Sequence, residues 1–175
     1  EIAGAPSQFF GQLDNADLRF GLIKDESGSE VELSHGNFTS FLMHRDRGIR
    51  RSAFMKYYAA YEAHKHSIAA SLSASIKKDR FYSRVRRFPD CRSASLFSDR
   101  VETAVYDTLI DTVRNNLPPL FKYLDFRKKA LGLDELHFYD TYAPIVSDIE
   151  FSMPYEEAVE TCVQALAPLG DDYTG

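Results

Sequence analysis

Near its start the chain alternates apolar and polar positions, as a half-buried strand requires. Leu18, Phe20 and Leu22 alternate on one side of Asp25-Glu26-Ser27-Gly28-Ser29, and Val31 and Leu33 on the other. Two short strands around a turn that contains glycine predict a β-hairpin, with Gly28 supplying a conformation other residues avoid. Asn37 is placed to cap a short helix through about His44. The period then changes. Behind a candidate cap at Asp46, Phe54, Tyr57, Tyr61, Ile68, Leu72 and Ile76 recur at helical spacing, with alanines among them. No Pro or Gly occurs from Ile49 to Phe88, so the pattern predicts one helix of about thirty residues or more, about 50 Å long. Such a rod fits best as one wall of a larger helical protein.

Pro89 ends that stretch, and Ser98 is the candidate cap of the next helix, whose apolar face is Val101, Val105, Leu109 and Val113. Pro118-Pro119 suits the first turn of a third helix that carries Tyr123, Leu124 and Arg127 and stops at Gly132. A further helix is expected from about Asp134, ending before Pro144. Ile145, Val146, Ile149 and Phe151 read as an extended segment. Ser152, with Glu156 and Glu157 behind it, opens a last helix through Ala167. The expected fold is mainly α, with long antiparallel helices, a short N-terminal hairpin and a small ribbon near residues 145–151. Residues 1–36 form the hairpin and entry segment, and residues 37–175 the helical region.

Charge adds an asymmetry. The 175 residues carry 21 Lys and Arg against 26 Asp and Glu, a formal charge of −5. Between His44 and Arg87, twelve basic residues face three acids, whereas Ala130 to Gly175 holds ten acids and no Lys or Arg. The basic middle is expected to meet acidic partners within the protein. The alternative is a free-standing helical module that uses its basic helix, 45–87, to engage nucleic acid or an acidic protein; low net charge and missing base-reading motifs count against it. No apolar run reaches the roughly 18 residues of a membrane helix. Two cysteines, Cys91 and Cys162, lack metal-ligand spacing and suit a reducing, cytoplasmic compartment.

Candidate chemistry is sparse. His64 and His66 are two apart, on opposite sides of a helix, whereas zinc-binding helices place histidines at i and i+4. Phosphate-binding loops and Gly-x-Ser-x-Gly elbows are absent. The most chemically textured segment is Leu136-His137-Phe138-Tyr139-Asp140-Thr141-Tyr142. Its hydroxyls and imidazole could bind a peptide backbone or carboxylate, or be core aromatics with locally satisfied tips.

Several motifs in order resemble the oligoendopeptidase F family of zinc metallopeptidases, relatives of thimet oligopeptidase. They are Leu33-Ser34-His35-Gly36-Asn37-Phe38, Asp46-Arg47-Gly48-Ile49-Arg50-Arg51-Ser52-Ala53-Phe54 and Tyr57-Tyr58-Ala59-Ala60-Tyr61. Val105-Tyr106-Asp107-Thr108-Leu109-Ile110, Tyr123-Leu124-Asp125-Phe126-Arg127-Lys128-Lys129, Tyr139-Asp140-Thr141-Tyr142-Ala143-Pro144 and Tyr155-Glu156-Glu157-Ala158 follow. The resemblance implies part of a large helical peptidase that hydrolyses short peptides in a channel between two helical halves. It also implies zinc on a His-Glu-x-x-His helix, whose glutamate is the general base, and a further glutamate ligand. None of the five histidines here is followed by Glu. No zinc ligand or catalytic residue therefore transfers to this chain, which is expected to be an internal piece that precedes the zinc core, inactive and metal-free by itself. By the same resemblance, Tyr139 and Tyr142 are candidates for substrate contact. The expected partners are an oligopeptide and the remainder of the parent polypeptide, with no nucleic acid or membrane.

Overall fold

The computed structural model describes residues 2–25, 27–146, 153–170 and 173. It divides into two compact units, Glu1–Ile145 and Val146–Gly175. In the first, α1 (Ala5–Gln12) has Pro6 in its first turn and widens into a π-type turn, Leu13–Asp17. Strands β1 (Leu22–Lys24) and β2 (Glu30–Glu32) pair antiparallel with Ile23 opposite Val31. Gly28 has φ +80°, and the Asp25 carboxylate accepts the N–H groups of Ser27 and Ser29, both at 2.9 Å. The hairpin is thus formed as expected, with one correction to its faces. Leu18 and Phe20 are buried, but Leu22 is half exposed and Ile23 turns inward instead. Gly21, at φ +80°, interrupts the extended chain and shifts the alternation by one residue.

Helix α2 (His35–Leu42) is capped by Ser34 rather than Asn37. Asn37 sits three residues in and completes a capping box, its Oδ1 accepting the Ser34 N–H at 2.8 Å. Helix α3 (Arg47–Ala63) starts on Asp46, whose carboxylate accepts the Gly48 N–H at 2.6 Å. The expected single rod is instead two helices. His64, at φ −109° and ψ 11°, separates α3 from α4 (Lys65–Val85). The two halves serve different partners, since α3 packs on β1 and α2 while α4 packs on α1.

Asp90 caps a short helix, α5 (Cys91–Leu96), that the apolar pattern did not announce. Ser98 caps nothing: it lies in the following turn and donates to the Ser95 carbonyl, and α6 (Thr103–Asn115) begins after Glu102. Helix α7 (Leu117–Ala130) has Pro118 and Pro119 in its first turn and closes at Gly132, φ +64°. The helix expected from Asp134 is replaced by one 3-10 turn, Phe138–Asp140, because the Asp140 carboxylate takes the His137 N–H. In the second unit α8 (Tyr155–Leu166) carries Glu156 and Glu157 in its first turn and runs into a 3-10 turn, Ala167–Leu169. Of the expected ribbon, residues 147–151 lie outside the described residues, as does Ser152, the expected opener of α8.

The core joins hairpin and helices: Leu13, Leu18, Phe20, Ile23, Leu33, Phe41 and Ala53 are buried together. Phe38, Tyr57 and Phe20 form a near-parallel stack with centroids 3.9 and 4.4 Å apart; each such pair adds about 0.5–1.5 kcal/mol beyond burial. Its polar edge is closed locally. The Tyr57 hydroxyl meets His35 Nδ1 at 2.7 Å, and Tyr61 donates to Asp14 at 2.6 Å. Burial and that hydrogen bond push the Tyr61 hydroxyl far above its ordinary pKa. By contrast Val105, Leu109 and Val113, the apolar face of α6, are more than half exposed.

Candidate functional site

The aromatic segment around Asp140 is where three distant stretches of sequence converge. Asp140 has no exposed surface. From the first turn of α3, Arg47 reaches its carboxylate with Nε at 3.1 Å and Nη2 at 3.0 Å, and Arg50 with Nη2 at 2.8 Å. The His137 N–H completes the set at 3.1 Å. Burial pushes the Asp140 carboxyl up. The hydrogen bonds from Arg47, Arg50 and His137 outweigh it, so its pKa lies below the ordinary value of 3.8. Through the same contact Asp140 raises Arg47 above its ordinary range.

The cations are held in turn by backbone. Arg50 Nη1 donates to the carbonyls of His44 and Arg45, both at 2.8 Å, and Arg47 Nη2 to that of Glu135 at 2.9 Å. A third guanidinium, Arg127 near the end of α7, is also buried. Its Nη2 donates to the carbonyls of Asp140 at 3.1 Å and Ala143 at 2.5 Å, and its Nη1 to the Tyr123 hydroxyl at 3.1 Å. Among the described residues the Nε atoms of Arg50 and Arg127 find no acceptor. The arrangement binds a turn rigidly; it presents no nucleophile paired with a base.

The two tyrosines singled out in the sequence part company here. Tyr139 is only 7% exposed. Its ring stacks on His137 at 5.0 Å, meets Phe54 edge-on at 5.9 Å and lies 5.4 Å from the Arg47 guanidinium. Tyr142, two residues past Asp140, is 56% exposed. His64 stands at the helix break and His66 in α4, and no group of three or more His, Cys, Asp or Glu with metal-binding geometry occurs among the described residues. Sequence reasoning picked out Asp140 but missed Arg47, Arg50 and Arg127 as its partners. The signal was Arg50 itself: it stands three residues before Ala53 and four before Phe54, so it falls on the apolar side of α3 where a lone charge demands a buried counterion.

Residues 40–167 of this mainly helical chain match the model of peptidase family M3, to which the chain therefore belongs. Oligopeptidase PepF of Bacillus subtilis is 43% identical over 173 residues, covering 99% of this chain and 26% of that protein. Group B oligopeptidase PepB of Streptococcus agalactiae is 40% identical over 174 residues, 99% of this chain and 29% of that protein. The crystal structure of oligoendopeptidase-F from Enterococcus faecium superposes with a TM-score of 0.82 at 38% identity, over 99% of this chain and 32% of that one. The chain thus spans between 26% and 32% of the length of these relatives.

Proposed function

We propose that the chain is the central helical segment of a zinc-dependent oligoendopeptidase that hydrolyses short peptides in a closed channel. The observation that carries this is the match along 99% of the chain to an oligopeptidase at 43% identity. The residues present do not fit a zinc site, since no histidine is followed by glutamate and no ligand cluster occurs among the described residues. No catalytic step is therefore routed through this chain, and the metal and its general base belong to another part of the parent polypeptide. The contribution of these residues is architectural, with Tyr142 as the contact to the substrate backbone and Tyr139 as a ring packed among His137, Phe54 and Arg47. The exposed apolar face of α6 is where the remainder of the parent packs, because such a stripe gains about 25 cal/mol per Å² when covered.

The compartment proposed is the cytoplasm, consistent with unpaired Cys91 and Cys162; no helix among the described residues is long and apolar enough to cross a membrane. Nucleic acid is not a proposed partner: Arg47, Arg50, Lys56, Lys65 and Lys78 of the basic stretch bind acceptors within the chain. The test is to express the parent polypeptide and assay internal cleavage of a short peptide with and without a chelator. Cleavage lost on chelation is expected, with the isolated chain neither cleaving peptide nor retaining zinc after dialysis. A parent that leaves peptides intact, or one indifferent to chelation, would overturn the proposal.

A further inference from the structure

We propose that Arg127 and Asp140 are positioning residues that pin both ends of the Thr141–Tyr142 turn, so that the Tyr142 hydroxyl is presented to a bound peptide at one fixed place. The inference rests on the reading of the parent as an oligopeptidase in which Tyr142 meets the substrate. Asp140 and Ala143 are buried, and between them Tyr142 stands out into solvent. One nitrogen of Arg127 holds both ends of this step: Nη2 donates its two N–H groups to the Asp140 and Ala143 carbonyls. The Asp140 side chain is fixed separately by α3 through Arg47 and Arg50. The turn adds its own bonds, from the Thr141 hydroxyl to the Phe138 carbonyl at 2.7 Å and from the Ala143 N–H to the Asp140 carbonyl at 3.4 Å. Backbone and side chain of the same residue are therefore tied to two different helices.

A connection needs none of this merely to hold. Buried ion pairs can often be replaced by apolar residues of similar volume with no loss of stability, and in some proteins what they supply is a defined geometry, the role assigned to them here. That geometry is spent on a two-residue turn whose one large exposed side chain is Tyr142. A phenol hydroxyl can donate to a peptide carbonyl and accept from a peptide N–H, and it does so without delay or entropic loss only if the backbone beneath it is already ordered.

The experiment uses the parent enzyme and an internally quenched oligopeptide. Tyr142→Phe and Arg127→Met should each lower kcat/KM about three- to tenfold, and the double variant should be no worse than the more severe single one. Exchange of the Thr141 and Ala143 amide hydrogens should quicken in Arg127→Met and stay unchanged in Tyr142→Phe. Multiplying kinetic defects would overturn the coupling, and a lowered melting temperature with unaltered kcat/KM would make Arg127 a support of the fold alone. Unaltered amide exchange would overturn the clamp. If the unmodified parent cleaves no peptide, the functional reading fails and the role toward substrate falls with it, while the exchange measurement separately decides whether Arg127 orders the turn. Asp140→Asn should act in the same direction; should it fail to fold, Arg127→Met decides.

Discussion

Asp140→Asn keeps the shape of the side chain and removes the charge that three groups converge on. Its effect can be worked out from the two ion pairs. The Arg50 side chain is 5% exposed and Asp140 fully buried, so the substitution leaves a guanidinium without its counterion in a place water does not reach. Breaking such a pair costs about 3–5 kcal/mol. The Arg47 side chain is 41% exposed, and solvent screening limits its share to about 1 kcal/mol or less. The buried pair therefore dominates. In urea unfolding, with an m-value of about 2 kcal/mol per molar, the midpoint should fall by about 2 M. Arg47→Met, as the control, should move it by about 0.5 M or less. Equal shifts for the two variants would refute the reasoning, because burial would then not decide the energy of this cluster.

The same carboxylate sets a pH dependence. Its folded pKa lies below its ordinary 3.8, so its contribution is complete above about pH 4 and is lost as pH falls through the folded value. The stability gap between the unmodified chain and Asp140→Asn should be constant from about pH 7 to about pH 5 and narrow below about pH 4, as followed by urea midpoints. Two glycines should respond with opposite signs. Gly21→Ala meets no atom within 4 Å but must adopt φ +80°, costing about 1–2 kcal/mol. Gly11→Ala, in α1 with equally open space, should gain about 0.5–1 kcal/mol in the same denaturation assay.

The hairpin, the caps of α3 and α7 and the mainly helical class could be read from the sequence because each depends on a local signal: alternation, Asp46, or Gly132 behind a polar stretch. The errors have equally specific causes. At Gly21 a single left-handed residue exchanged the faces of the following strand, and no period-2 count registers that. At His64 the break has no Pro or Gly to mark it; it reflects the separate packing demands of the hairpin and of α1. The absent helix after Asp134 was lost to a side chain, since Asp140 is consumed by arginines 90 and 93 positions earlier. The site was legible as a cluster of polar aromatics, whereas its anchors required knowing which helix starts lie next to which turn.

The interruption at His64 also sets an order of assembly. Hairpin, α2 and α3 close over short stretches, such as the 22 positions between His35 and Tyr57, whereas α4 meets α1 across the 65 positions between Pro6 and Ser71. Loop closure costs more over the longer span, and nearer contacts form faster. An unbroken rod would carry helical order from α3 straight into α4, but two helices need two nuclei. The hairpin with α2 and α3 is then the early nucleus, and α1 docks on a late-forming α4. Loss of the Ser71 hydroxyl bond to the Pro6 carbonyl should accordingly speed unfolding and leave the refolding rate unchanged. The amino-terminal helix thus arrives after that nucleus and leaves before it.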